Sequence, residues 1–369
     1  MQRAWIAGNP ASFDDAIAAA AKLIAASRQT LITGLGTDIA GARAAIALAE
    51  RTGAVVDHMH AEALLHDLEV MRSSGTMMTT PAEARVHADV WLIAGPDSNG
   101  ALVQFLQQVI GPQQTRTTKL PARLMFWLCP GRSGVNVSTE IPIKQIGRNP
   151  AELPALLAVL RARHAGRPCG HVGISARSLD DVLNVLTAAQ FSVAIWSAAA
   201  LDPLAIEMLC GLMNDLNAKT RSSTLPLPPP DNALGVMQAC AWLTGVPTRT
   251  GFGRGRPRHD PWLFDSRRLV ANGEVDCLVW VSAYRPVAPP WPDLPITIAL
   301  TDHDAQFSSP PRIHIAVGRP GRDHGGVDYF APAGTLAAFA AAQPSEMISV
   351  ADAIARIAAA LPDQGNTRC

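Results

Sequence analysis

Residues 30–58 read TLITGLGTDIAGARAAIALAERTGAVVDH and contain a complete strand, turn, helix and second strand. The apolar, β-branched run at 30–35 predicts a buried strand, and the alanine-rich segment 39–51 predicts a helix with larger apolar side chains at helical spacing. Gly53 stands where a left-handed residue ends a helix, directly before the apolar run 54–56. A crossover this short is typical of the right-handed unit of a doubly wound parallel sheet. The stretch therefore predicts an α/β fold.

The turn between the first strand and the helix lies where such sheets place their ligands. Gly34 and Gly36 allow backbone amides to approach a ligand, and Thr37 and Asp38 open the helix. The third glycine of a dinucleotide fingerprint is missing, because residue 39 is isoleucine. Asp57 is the only acid near the ribose-binding position. A tight turn that requires glycine is therefore favoured over an NAD or FAD site.

Composition excludes several classes of partner. The 369 residues carry a formal net charge of zero with a pI near 7.1, so no general attraction to nucleic acid or to acidic membranes is expected. Charged residues make up only 17% of the chain, against about 25% in a typical soluble protein. One explanation of this low charge is that other proteins cover part of the surface. The other is that the alanine-rich composition raises the apolar fraction. Both interpretations stay open.

The cysteines and the N-terminal segment predict a reducing compartment. The six cysteines lie at least 30 residues apart and form no C-x-x-C pair, which excludes ribbon-type zinc, ferredoxin-type cluster and thioredoxin-type motifs. The first residues, MQRAWIAGNPASF, lack the apolar core of a signal peptide, and no apolar run is long enough to cross a bilayer. We therefore expect a cytoplasmic protein with free thiols.

The rest of the chain alternates strands, polar turns and helices. Further strands are predicted at 90–94, 124–129, 191–196, 277–282, 296–300 and 313–317, with helices between most of them. Arg167-Pro168 follows a leucine-rich helix and is the predicted boundary between two series of elements.

Two constellations are candidates for a catalytic site. Asp57-His58-Met59-His60 follows a strand, as the first metal ligands of metal-dependent amidohydrolases do. The remaining ligands would have to come from the ends of later strands, and His303-Asp304 is the only later pair that follows a strand. His66 and His87 are too close in sequence, and eight barrel units are not present. Ser175 lacks the second glycine of a nucleophile elbow. Polar turn residues are therefore the favoured interpretation, with no metal site and no catalytic residue predicted.

A loop rich in glycine and arginine is the predicted anion contact. Arg249, Arg254, Arg256 and Arg258 lie within residues 248–259, and guanidinium forks on such a backbone suit carboxylates or phosphates. Since the chain has no net basic charge, a local anionic ligand or an acidic partner surface fits better than nucleic acid. A solvated loop is the alternative.

The order of four sequence blocks resembles the B subunit of formylmethanofuran dehydrogenase, a bis-molybdopterin oxidoreductase. The blocks are ALAERTGAVVDH, HADVWLIAGPDSNG, SSTLPLPPPDNALGVMQACAWLTGVPTRTGFGRGRPRHDP and LVANGEVDCLVWVSAYRP. The resemblance covers nearly the whole chain. It implies two interleaved, doubly wound, Rossmann-like parallel-sheet domains of the molybdopterin-oxidoreductase type. We expect one domain from residues 1–60 plus 168–369, and an inserted domain from residues 61–167.

The chain departs from that family at the residues that carry its redox chemistry. Active members begin with a cysteine-rich iron–sulfur motif and place a Cys or selenocysteine metal ligand, followed by His-Gly-Pro, after the second strand. Here no cysteine precedes Cys129, and residues 59–66 read MHAEALLH. Without a soft ligand and an electron path, a tungsten or molybdenum dithiolene centre is not expected. The turn at Gly34, Gly36, Thr37 and Asp38 is then a remnant of the pterin pocket.

This pattern resembles the cofactor-free B subunit of the formyltransferase/hydrolase complex of methylotrophic bacteria. The resemblance implies a non-catalytic scaffold that accompanies an amidohydrolase-like subunit, a formyltransferase subunit and a further subunit. In that complex formyl groups pass from tetrahydromethanopterin through the carrier methylofuran to formate. The arginines at 249, 254, 256 and 258 are the predicted contact for the carrier's polyglutamate tail. Two alternatives stay open: an active molybdopterin or tungstopterin oxidoreductase subunit, and a nucleotide-binding regulatory α/β protein.

Overall fold

The computed structural model describes residues 3–97, 100–110, 123–131, 141–291 and 295–362. The chain folds as two compact units. The first comprises residues 1–61, 230–329 and 336–369, and the second comprises residues 62–229 and 330–335. No helix among the described residues is both long and apolar enough to cross a bilayer.

The first part of the chain confirms the strand–helix–strand prediction. Its elements are β1 (Ala4–Ile6), β2 (Asn9–Ala11), α1 (Phe13–Ala26), β3 (Thr30–Gly36), α2 (Ile39–Thr52) and β4 (Val55–Val56). Every residue of β3 is buried, as expected of a central strand covered on both faces. Asp38 caps the start of α2, and Gly53 ends the helix with φ +74°.

The inserted part of the chain forms the second unit. Its elements are α3 (Ala61–Ser73), α4 (Pro81–His87), β5 (Val90–Ala94), α5 (Ala101–Ile110), β6 (Leu124–Leu128), β7 (Ile143–Ile146), α6 (Leu153–His164), α7 (Ala176–Ala188), β8 (Phe191–Trp196), α8 (Pro203–Leu216) and β9 (Arg221–Pro226). The strands form an all-parallel sheet in the order β7-β6-β5-β8-β9. Apolar side chains pack on both of its faces.

The position where the chain leaves the second unit differs from the sequence-based boundary. The sequence predicts that residues 168–369 belong to the first domain, whereas the division falls at Pro230. The physical reason is strand pairing: β8 pairs in parallel with β5, and β9 pairs with β8, so residues 191–226 extend the inserted sheet. At its other end the inserted unit begins at Glu62.

The remaining elements complete the first unit. They are α9 (Ala233–Thr244), β10 (Thr250–Gly251), β11 (Arg258–His259), α10 (Ser266–Ala271), β12 (Cys277–Ser282), β13 (Ile296–Thr301), β14 (Ile313–Ala316), β15 (Gly326–Phe330), β16 (Thr335–Phe339) and α11 (Val350–Ala359). The larger sheet runs β11-β10-β4-β3-β12-β13-β14-β1-β2, and its five central strands are parallel. The short β10–β11 and β1–β2 hairpins at its two edges were not predicted, because strands of two or three residues leave no periodic signal.

The strand order locates the site. From β3 the chain crosses to β4 on one side of the sheet, whereas the neighbour of β3 on the other side is β12, nearly 250 residues later. The gap between the carboxyl ends of β3 and β12 is therefore the topological switch point, where open α/β sheets bind ligands. The residues that follow these two strands therefore line the candidate site.

Candidate functional site

The glycine turn after β3 is packed by the protein itself. Gly34 has φ +79°, and a Cβ there would lie 2.5 Å from the Val281 carbonyl oxygen, so only glycine fits. A Cβ at Gly36 would lie 3.0 Å from the Met59 Cε atom and 3.4 Å from the Asp231 Cβ atom. The glycines thus allow neighbouring chain segments to approach, rather than leaving a cradle for a ligand.

The N-terminus of helix α2 is capped by a carboxylate. Asp38 is only 3% exposed, and its Oδ1 atom accepts a hydrogen bond from the Gly41 N–H at 3.0 Å. Strand β15 passes close by, because a Cβ at Gly326 would lie 2.6 Å from the Asp38 Oδ2 atom. A helix N-terminus of this kind is where a pyrophosphate binds. With a carboxylate in that place, the turn does not fit the phosphates of a dinucleotide or of a pterin dinucleotide.

A second buried carboxylate joins three segments of the first unit. The Asp231 side chain is 3% exposed and receives bonds from Arg285 on both oxygens, with Nε at 2.9 Å from Oδ1, and from His60 Nε2 at 3.1 Å from Oδ2. Burial alone raises the pKa of Asp231, but the hydrogen bonds from His60 and Arg285 prevail and lower it to about 2. The adjacent Asn232 donates to the Thr37 carbonyl oxygen and accepts from the Tyr329 N–H.

Asp57 and Arg249 form another buried group at the end of β4. The Asp57 carboxylate accepts from the His58 N–H at 2.8 Å and from the Ser266 N–H at 3.0 Å, and Arg249 Nε lies 3.7 Å from Oδ1. Burial raises the pKa of Asp57 to about 6, although Arg249 opposes this shift. Arg249 also pairs with Asp265, Nη2 to Oδ2 at 2.5 Å, and donates to the Pro261 carbonyl oxygen at 2.7 Å.

A third acidic group follows β12. The Tyr284 hydroxyl donates to Asp328 Oδ1 at 2.5 Å, and burial raises the pKa of both groups, that of Asp328 to about 6. The charge on Asp38 contributes to both increases. Carboxylates at 38, 231 and 328 therefore make the switch point acidic and internally bonded, which disfavours an anionic ligand.

The donor set also fails to fit the dithiolene-bound heavy metal that the family resemblance implies. After β4 the chain offers His58, Met59 and His60, and both histidines are already bonded to Asp231. Four cysteines of the described chain are buried, and burial raises the pKa of each thiol to about 11 or 12; they are Cys129, Cys210, Cys240 and Cys277. The sequence has no cysteine between β4 and Cys129, so the segment that follows β4 supplies no thiolate ligand.

The residues of the two candidate catalytic constellations make contacts within the protein. The rings of His58 and His60 lie 5.7 Å apart, and neither belongs to the three-donor group found among the described residues, which is Asp302, His303 and Asp304 on a partly exposed loop. Ser175 accepts a hydrogen bond from the Ser178 N–H at 3.1 Å and caps helix α7.

The four predicted anion-binding arginines fall into two groups. Arg254, Arg256 and Arg258 are exposed on the β10–β11 hairpin at the edge of the larger sheet. Arg249 differs from the prediction, because it is buried and bonded to Asp57 and Asp265, so its guanidinium is not available to an outside ligand. The spacing of arginines in the sequence could not separate these two roles.

Sequence reasoning missed Asp231, Tyr284, Arg285 and Asp328 as members of the site. The first three lie in PPPDN and SAYRP, within the sequence blocks that carry the family resemblance. Their position in those blocks was the signal that could have identified them. Their proximity depends on the order of strands in the sheet, because Asp231 and Arg285 are 54 positions apart and His60 and Asp231 are 171 apart.

A pH dependence follows from the buried His58. Its Nδ1 atom accepts from the His60 N–H at 3.0 Å, so the proton is on Nε2, 3.3 Å from the Asp231 carbonyl oxygen. Burial lowers the pKa of His58 to about 3. Because the unfolded chain takes up this proton near pH 6.5 and the folded chain does not, stability falls as pH drops from 6.5 toward 3.

We expect the variant His58→Gln to lack this dependence. Between pH 7 and pH 4 the parent should lose roughly 2–3 kcal/mol more unfolding free energy than the variant, measured by urea denaturation at each pH. Asp57, whose raised pKa gives a dependence of opposite sign between about pH 4 and 6, is present in both proteins and cancels. The exposed His303→Gln is the control. Parallel pH curves for parent and His58→Gln would contradict a neutral, buried imidazole.

Comparison with known proteins agrees with the resemblance. The chain matches no protein-family model. It is 32% identical over 346 residues to the B subunit of the formyltransferase/hydrolase complex Fhc of Methylorubrum extorquens, covering 93% of this chain and 92% of the relative. It is 24% identical over 279 residues to the B subunit of a tungsten-containing formylmethanofuran dehydrogenase 2 of Methanocaldococcus jannaschii, covering 73% of this chain and 64% of that protein.

The fold leads to the same relative. The structure matches a chain of the crystal structure of the formyltransferase/hydrolase complex (FhcABCD) from Methylorubrum extorquens in complex with methylofuran, with a TM-score of 0.84 and 32% identity over 96% of this chain and 97% of the other. Sequence and fold therefore agree over nearly the full length of both proteins. The chain belongs to the family formed by the B subunits of formyltransferase/hydrolase complexes.

Proposed function

We propose that this chain is a non-redox scaffold subunit of a formyltransferase/hydrolase complex. The complex would take formyl groups from formyl-tetrahydromethanopterin, pass them through methylofuran and release formate. This chain would hold an amidohydrolase-like subunit, a formyltransferase subunit and a further subunit in register without catalysing a step. The observation that carries the proposal is the switch point of the larger sheet, where the protein's own side chains, Asp38 capping α2 and Asp231 bonded to Arg285, occupy the edge at which open α/β sheets bind ligands.

The charge distribution supports a scaffold over an oxidoreductase. Three carboxylates, Asp38, Asp231 and Asp328, lie near the switch point, where open α/β sheets bind ligands, and each already has a hydrogen-bond donor from the protein. Reorganising this buried network around an anion would leave buried charges unpaired, which costs several kcal/mol. The proposed location is the cytoplasm, where free buried thiols such as Cys240 stay reduced.

Purification of the native complex through a tag on this chain tests the scaffold role. We expect the other subunits to elute with it at constant stoichiometry, and the chain alone to show neither formyl transfer nor formyl hydrolysis. Elemental analysis of the purified protein tests the alternative, because the related Methanocaldococcus jannaschii protein is tungsten-containing by name. Tungsten or molybdenum at about one atom per chain would overturn the proposal in favour of an oxidoreductase.

The exposed arginines of the β10–β11 hairpin are the proposed contact for the carrier's acidic tail. Arg254, Arg256 and Arg258 are each exposed, with Gly255 and Pro257 between them. Each exposed ion pair contributes about 0.2–1 kcal/mol, so three together account for roughly a tenfold effect on binding.

Replacing the three hairpin arginines by alanine should weaken retention of the carrier by roughly tenfold. Retention is measured as the fraction of carrier that stays with the complex through gel filtration at low salt, where surface ion pairs are strongest. The charge-matched control replaces three other exposed arginines of the first unit, Arg312, Arg319 and Arg322. Equal retention in both triple variants would remove the tail contact from the proposal and leave the scaffold role untouched.

A further inference from the structure

The hairpin formed by β15 and β16 stands apart from the two larger sheets. Among the described strands, β15 and β16 pair only with each other. Each strand has five residues, and none of them is buried. Because an isolated pair of strands is only marginally stable in water, the position of this hairpin depends on the contacts that fasten it to the rest of the first unit.

Hydrogen bonds from β15 fasten the hairpin at the carboxyl edge of the larger sheet. The Tyr284 hydroxyl, which follows β12, donates to Asp328 Oδ1 at 2.5 Å. The Tyr329 N–H donates to Asn232 Oδ1 at 3.0 Å. The first of these bonds joins two side chains that can lose a proton, so its strength depends on which of them is ionised.

The same strand brings Asp328 to a second carboxylate, that of Asp38 at the start of α2. A Cβ at Gly326 would lie 2.6 Å from the Asp38 Oδ2 atom, so this face of β15 meets the Asp38 side chain. Residues two apart on a strand point to the same face, and Asp328 is two positions after Gly326. When both carboxylates are ionised, like charges therefore face each other across the closed hairpin.

The groups that face Asp328 set the direction of its titration. Burial is the largest effect and the Asp38 charge adds to it, whereas the Tyr284 hydroxyl and the charge of His324, which precedes β15, act against them. Together they raise the pKa of Asp328 to about 6, against 3.8 for an ordinary aspartate. The protonated carboxyl therefore stabilises the closed hairpin, and this stabilisation is lost as pH rises through about 6.

We propose that the β15–β16 hairpin is a pH-operated lid on the carboxyl edge of the larger sheet, closed while Asp328 is protonated and loosened when Asp328 ionises beside Asp38. Opening moves the Asp328 carboxylate into water and away from Asp38. Ionisation therefore favours the open state, and the start of α2 is uncovered more often as pH rises. This property of the hairpin does not depend on the proposed scaffold function.

Amide hydrogen exchange of the full chain measures how often the lid opens. After correction for the intrinsic exchange rate at each pH, we expect protection of residues 326–339 to fall by about tenfold between pH 5 and pH 7.5. Strand β13, in which every residue after the first is buried, reports global unfolding and should be far better protected at both pH values. Hairpin protection that stays constant over this range would overturn the lid.

Two variants test whether the carboxylates cause this change. Asp328→Asn keeps an acceptor for Tyr284 without a charge, so its hairpin protection should change by less than about twofold between pH 5 and pH 7.5. Asp38→Asn keeps the helix cap and should reduce the tenfold change, because the opposing charge is gone. The control Asp304→Asn, at an exposed position, should keep the full change. A tenfold change that persists in Asp328→Asn would overturn the proposal, and if that variant also loses protection in β13, an undiminished change in Asp38→Asn overturns it instead.

Discussion

Replacement of Arg249 by methionine is expected to lower the free energy of unfolding by about 3–5 kcal/mol, the largest effect of any single substitution in the site. Its guanidinium pairs with Asp265 at 2.5 Å and faces Asp57 at 3.7 Å, and the Asp57 side chain is 1% exposed. Methionine fills much of the arginine volume but supplies no charge. The two carboxylates would remain buried beside each other without their shared cation.

Urea denaturation of the full chain, followed by circular dichroism, measures this effect. The exposed hairpin residue provides the control Arg258→Met, which should change the free energy by less than about 0.5 kcal/mol. In the double variant Arg249→Met with Asp57→Asn, part of the loss should return, because the amide removes one unpaired charge. Equal stabilities of Arg249→Met and Arg258→Met would show that the buried group does not stabilise the fold.

The variant Asp231→Asn is expected to lose about 2–3 kcal/mol of unfolding free energy at neutral pH. The substitution keeps the shape of the side chain, and asparagine accepts the left-handed backbone of φ +59° at this position. It removes the charge that Arg285 and His60 share. The expected loss is smaller than at position 249, because the side chains of Arg285 and His60 are 50% and 30% exposed and solvent screens part of the interaction.

The pH dependence of this loss tests its electrostatic origin. Since the pKa of folded Asp231 is lowered to about 2, its contribution is complete above the unfolded pKa near 3.8 and disappears as pH falls through about 2. Parent and Asp231→Asn should therefore converge in stability toward pH 2. The exposed Asp304→Asn serves as control and should track the parent at every pH. A difference that stays constant down to pH 2 would point to packing instead of charge.

The two networks hold segments of the first unit together through the protein's own side chains. Asp231 bonds to side chains from other segments of the first unit, and Arg249 connects the end of β4 to the segment before α10. Bound cofactors stabilise the proteins that hold them. Here ionic and hydrogen-bonded side chains occupy the same edge of the sheet and hold its segments together.

Local sequence was sufficient for the elements around β3. The β-branched run, the cap at Asp38 and the glycine at 53 act over a few residues, so their pattern gives β3, α2 and β4 with correct bounds within one or two positions. The same pattern could not place Pro230 as the return to the first unit, because the parallel pairing of β8 with β5 is a long-range choice.

By itself, the sequence determined the α/β class, the first strand–helix–strand unit, the absence of a cysteine between β4 and Cys129, and the family through the order of its blocks. Only the tertiary structure decided that Arg249 is buried while Arg254 is exposed, and that Asp231 bonds to His60 across 171 positions. The reason is physical. Periodicity and capping depend on neighbours within a few residues, whereas contacts at the edge of a parallel sheet depend on the order in which distant strands assemble.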